Sequence, residues 1–164
     1  MLQLFLLLHV LGAIVVFGPT FAFPIIAGQA QKSPQNGPFA ALIIDLIERR
    51  IVIPGAIVQG VTGVALILIL NADLSSPAYR WLGVGIVLYI IAIAFAVLVQ
   101  APATAKMVEL TKNRPAGPPP DGAPAGPPPE VAALGKKLQR GGILLSVLIV
   151  SIVFMMVVKP SLGA

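Results

Sequence analysis

Residues 2–27 read LQLFLLLHVLGAIVVFGPTFAFPIIA, an apolar run with a single ionisable side chain, His9. A helix needs ~20 apolar residues to cross a ~30 Å hydrocarbon core, and this run exceeds that. Three more runs of the same kind follow at 51–70, 81–101 and 142–158. Backbone polar groups inside lipid must be satisfied within the spanning element, so each run predicts a helix. The runs do not alternate with a period of two, which excludes a membrane β-barrel. The sequence therefore predicts an all-α membrane protein: a four-transmembrane-helix bundle forming a single transmembrane domain over residues 1–164.

Composition supports this: 57% of residues are hydrophobic and only 10% charged. The chain has no Cys, so disulfides and thiol chemistry are excluded. A net charge of +5 invites a nucleic-acid reading. The basic residues cluster beside the apolar runs instead, where they set orientation and meet anionic lipid headgroups. Gly28-Gln29-Ala30 offers small residues for a signal-peptide cleavage point. No basic residue precedes the first run, however, and the run is longer than the ~7–15 residues of a signal core, so it is read as a span.

Lys32, Arg49 and Arg50 lie between the first and second runs. Lys106, Lys112, Arg114, Lys136, Lys137 and Arg140 lie between the third and fourth. Only Arg80 and Lys159 fall on the other side. The positive-inside rule then predicts a multi-pass membrane protein with both basic connections in the cytoplasm and both termini outside.

The connections have their own patterns. Phe39, Leu42, Ile43, Leu46 and Ile47 form one stripe of a helix over 39–50, predicting a cytoplasmic amphipathic segment that leads into the second span. Asp45 and Glu48 fall off that stripe and are expected to be solvated or paired with Arg49 and Arg50. Pro54-Gly55 is expected to bend or restart the helix, and Gly18-Pro19 with Pro24 to kink the first one. Residues 115–130 are a Pro/Gly-rich linker in which AGPPP occurs twice; a disordered, solvated tether is expected, with a polyproline ligand for a partner domain as the alternative. The flanking basic stretches, 106–114 and 130–140, are expected to lie amphipathically at headgroup level.

Polar side chains within the spans are few, and each is a candidate site. His9 falls roughly 12 Å below the outer end of its helix at ~1.5 Å per residue. Counting gives Thr62, Tyr89 and Ser151 the same depth. Gln59, Gln100 and Ser146 are the other polar candidates. Gly12, Gly55, Gln59, Gly63 and Gly85 share faces with them and are expected to pack helix against helix. His9 carries two readings: an interhelical hydrogen bond to Thr62 or Tyr89, or an axial ligand to haem iron with Thr62 and Tyr89 beside it. With one His in the chain, bis-His ligation would need a second copy. Met155-Met156 is a lone pair, expected to pack in the bundle rather than bind metal.

Leu8-His9-Val10-Leu11-Gly12-Ala13-Ile14 with Phe17-Gly18-Pro19 resembles the opening of a bacterial family of predicted four-helix integral membrane proteins of unknown function. Ile53-Pro54-Gly55, Gln59-Gly60-Val61-Thr62-Gly63, Asp73-Leu74 and Trp81-Leu82 fit the same family. The likeness covers the first two-thirds of the chain and implies a fold and a location, not an activity. More distantly, the His-x-x-Gly first helix is similar to that of copper-resistance D proteins and of the membrane protoporphyrinogen oxidase, where the first-helix His is associated with haem. That resemblance maps onto His9. The chain departs from the oxidase pattern: it lacks further His and basic residues in the spans, and the Trp after the first motif. The expected function is a non-enzymatic integral membrane protein, as an accessory subunit of a larger assembly or a homo-oligomer. A haem-binding redox protein and a small transporter are the alternatives.

Overall fold

The structure, a computed structural model, describes residues 1–112 and 127–161. Among these there is no strand, and four helices are long and apolar enough to cross a membrane. They are α1 (Leu2–Lys32), α2 (Gly37–Ile69), α3 (Pro77–Thr111) and α4 (Pro129–Val158). Of the expected linker, residues 115–126 lie outside the described residues, while Pro129 and Glu130 already belong to α4.

Each helix outruns the apolar stretch that announced it. At ~1.5 Å per residue, helices of 30 to 35 residues are about 45–50 Å long, against a ~30 Å hydrocarbon core. The extra length lies at the end of the bundle that carries the basic connections, called here the basic end; the opposite, terminal end carries the chain termini. The basic stretches 106–111 and 130–140 are extensions of α3 and α4. Ala103, Thr104, Met107 and Thr111 of α3, and Gly135 and Leu138 of α4, are buried in a continuation of the bundle. Lys106, Lys136, Lys137 and Arg140 point outward, which is why a helix can continue past its apolar run.

Three helices are interrupted, each beside a proline. In α1 a 3-10 turn spans Gly18–Phe21 and holds Pro19; the Thr20 hydroxyl donates to the Phe17 carbonyl at 2.6 Å. In α2 and α3 the interruptions are π turns, Glu48–Val52 and Ala96–Gln100. Arg50 and Leu98 sit at their centres, four residues before Pro54 and Pro102. A proline ring clashes with the carbonyl four residues back and cannot bond to it, and one wider turn absorbs both defects. Pro54 therefore widens α2 rather than restarting it. α4 has no interior proline and is unbroken.

The helices exchange partners at the level of these breaks. Toward the terminal end, residues 2–17 of α1 pack on residues 53–69 of α2, and residues 80–95 of α3 pack on α4. Toward the basic end, residues 23–32 of α1 pack chiefly on α4 while still touching residues 37–47 of α2, and residues 101–111 of α3 pack on residues 37–47 of α2. Two apolar clusters fill that half: Ala41, Ala103, Met107 and Leu138, and Phe23, Ile44 and Val52.

The helix expected over 39–50 is present and leads into the second span, and its apolar stripe is turned partly outward, with Ile43 and Ile47 half-buried. Phe39, Leu42 and Leu46 are exposed, while Ala41, Ile44, Glu48 and Val52 are buried. In lipid no hydrophobic force turns large side chains inward; small residues and polar bonds choose the contact face.

Candidate functional site

Two polar layers lie inside the bundle. The first joins α1 to α2 in the terminal half. Thr62 donates its hydroxyl proton to the Gln59 carbonyl at 3.0 Å, and His9 Nδ1 lies 2.9 Å from Thr62 Oγ1. A hydroxyl has one proton to give, so Nδ1–H is the donor to Thr62 and Nε2 holds the lone pair. The Gln59 carbonyl also faces the imidazole. Gln59 Nε2 closes the set by donating to the His9 carbonyl at 2.9 Å.

The glycines make this closeness feasible. A Cβ on Gly12 would lie 2.5 Å from Gln59 Oε1, and one on Gly63 would lie 3.2 Å from His9 Cε1. Gly55 presses on both methyl carbons of Val16, and Gly85 faces Met156 with Met155 behind it. The space at Gly12 and Gly63 is thus filled by Gln59 and His9.

Tyr89 and Ser151 are not brought to His9. The Tyr89 hydroxyl donates to the Ala56 carbonyl at 2.6 Å and lies over Gly60, on an adjacent face of α2. Ser151 and Ser146 bond back to carbonyls of their own helix, those of Val147 and Gly142. Shared depth did not produce shared contacts, because helix rotation decides which residues meet.

The second layer lies at the breaks; sequence reasoning named Gln100 as a candidate but missed its neighbours Glu48 and Thr104. Glu48, expected to be solvated or paired, is only 3% exposed, and its Oε2 has no hydrogen-bond partner. Its neighbour Arg49 turns outward and bonds Asp45 through Nε at 2.8 Å, so only the Asp45 half of the expected pairing is present. Glu48 shares a side-chain hydrogen bond with Thr104 of α3, which is 1% exposed. Thr104 Oγ1 donates to the Gln100 carbonyl at 3.0 Å. Gln100 in turn donates from Nε2 to the Leu138 carbonyl of α4 at 3.0 Å, with its Oε1 pressed against Gly141.

The available signal was positional. Glu48 and Gln100 each belong to a wide turn six and two residues ahead of an interior proline, where backbone geometry re-aims side chains. Glu48 also shares a heptad-spaced face with small Ala41.

Among the described residues no group of three His, Asp or Glu side chains could hold a metal ion. No curated protein and no solved structure matches the chain. A family model described as "Predicted integral membrane protein (DUF2269)" matches residues 3–160. That span takes in all four helices with both polar layers, and the chain belongs to this family of integral membrane proteins of unknown function.

Proposed function

We propose that the protein is a non-enzymatic subunit of a larger assembly in the bacterial cytoplasmic membrane, with its basic end in the cytoplasm and both termini outside. The observation that carries this reading is the terminal half of α1, which packs chiefly on α2. Leu4, Leu7, Leu11 and Ile14 remain exposed there, Ile14 at 63%. Meanwhile His9, Gln59, Thr62 and Tyr89 are engaged in bonds between helices, a use that fits packing rather than catalysis. Lipid covers an apolar face as readily as a partner helix does, so the test must tell them apart.

The absence of Cys supplies it. Single Cys substitutions at Ile14 and, as an outward-facing control, Val147 would carry a photo-crosslinker in native membranes. Covalent protein adducts from Ile14→Cys at defined mass, in excess of those from Val147→Cys, are expected. Adducts to lipid alone from both positions, with a single chain in mild detergent, would overturn the reading.

A second reading, haem ligation by His9, is favoured by one detail. Its Nδ1–H is held by Thr62, leaving the Nε2 lone pair, and metal-ligating imidazoles have this arrangement. The ring would have to be shared with another chain, because Gly12 and Gly63 are already filled. A Soret band in protein from haem-replete cells, lost in His9→Ala, would establish it.

A further inference from the structure

Glu48 is the one buried side chain among the described residues with an oxygen left unpartnered. Two cavities are lined by its neighbours rather than by Glu48 itself. Toward the basic end lies one of about 70 Å³, bounded by Ile44, Gln100, Thr104, Met107, Gly135 and Leu138. Toward the terminal end lies one of about 40 Å³, bounded by Val52, Ala56, Tyr89, Ala92 and Leu145, with Thr20 at its edge. Ile44 and Val52, one turn either side of Glu48 on the same face, line the two cavities. The larger cavity has room for several water molecules and polar groups to hold them, from Gln31, Gln100 and Thr104. The smaller is almost wholly apolar.

A carboxylate with an oxygen buried away from water and without a partner is costly, and the neutral acid is the form such a site favours. The Thr104 hydroxyl beside it bonds the Gln100 carbonyl at 3.0 Å and is the donor a carboxylate would take. On its own helix the charges of Asp45 and Arg49 act on Glu48 in opposite senses, and the two are engaged with each other. Among the described residues the other buried polar side chains are Thr20, Gln59, Thr62, Gln100, Thr104 and Thr111, none of them titratable.

We propose that Glu48 is a proton-exchange site, a carboxyl that gives up and regains one proton through the cavity bounded by Gln100 and Thr104 at the basic end. On release, the O–H bond of the acid breaks and the proton passes to water in that cavity. The Thr104 hydroxyl then turns from the Gln100 carbonyl to the carboxylate, supplying a donor to the new charge. On uptake both movements reverse. The ligand is a proton rather than a metal cation, because a single carboxylate with two neutral oxygens nearby falls short of the six or so ligands a hard cation takes. This inference goes beyond the subunit reading and does not depend on it.

Infrared difference spectra of the full chain in lipid membranes, taken between acid and alkaline buffer, test it. The expected result is a carboxylic C=O band that disappears in alkali, shifts in heavy water, and is absent from Glu48→Gln. Gln is an isostere of the neutral acid and keeps the packing, so a merely structural Glu48 would leave the fold intact and the difference spectrum unchanged. Glu48→Asp should retain a displaced band. Thr104→Val should keep the band but move its midpoint to higher pH, since the carboxylate loses its donor. A difference spectrum identical in wild type and Glu48→Gln, or a Glu48 band unmoved by alkali, would overturn the proposal.

Discussion

Gln100 and Gly141 meet so closely that a Cβ on Gly141 would collide with the Gln100 amide oxygen and come within 3.2 Å of Cδ. The contact fixes a side chain that also ties α3 to α4 through the Leu138 carbonyl, at the level where the helices change partners. Gly141→Ala should displace Gln100 and break that bond. A cost of about 1–3 kcal/mol is expected from overpacking. Reversible unfolding in mixed detergent, followed by circular dichroism, would measure it. Gly141→Ala combined with Gln100→Ala should cost less than the sum of the two single changes, since removing the amide opens the space the methyl needs.

Glycine position, rather than glycine content, should decide stability elsewhere. Gly55→Ala drives a methyl into Val16, a β-branched side chain with one comfortable rotamer, and should destabilise by about 1–3 kcal/mol. Gly83→Ala meets nothing within 4 Å and should be neutral or gain up to about 1 kcal/mol from helix propensity. Thermal aggregation midpoints of the two variants in one detergent should move in opposite directions or differ plainly.

The His9–Thr62 bond should contribute modestly. Double-mutant cycles between membrane helices average about 0.6 kcal/mol, and a coupling of that order is expected for His9→Ala with Thr62→Val. A coupling near zero would mean the two side chains do not bond in the membrane.

Asp73, in the turn between α2 and α3, accepts from the Ser75 amide at 3.0 Å and the Ser75 hydroxyl at 2.6 Å. These bonds hold its carboxyl below its ordinary value. The folded value being the lower one, the bonds help at any pH above the unfolded value and are lost as pH falls through the folded value. Asp73→Asn should therefore shift the Ser75 amide resonance upfield at neutral pH, and acidification of the wild type should move it the same way.

Much of the fold was legible in four apolar runs, because the bilayer dictates helix and length. The layer around Glu48 was not, although Pro54 and Pro102 are plain in the sequence. A proline announces a defect but not its form: Pro19 gave a 3-10 turn, Pro54 and Pro102 gave π turns. The helix at Phe39–Ile47 was legible from its amphipathic stripe, but periodicity reports only which face is apolar, and here Phe39, Leu42 and Leu46 of that face are turned out.

The sequence alone determined that this chain is a bundle of four membrane helices whose basic residues gather at one end. Hydrocarbon forbids unpaired backbone, and charge is tolerated only where water or headgroups reach it. Only the tertiary structure decided that His9 meets Thr62 while Tyr89 does not, and that Glu48 turns inward while Arg49 turns out. Those outcomes depend on helix rotation and on local widening at two prolines, and both are set by small side chains fitting against distant neighbours.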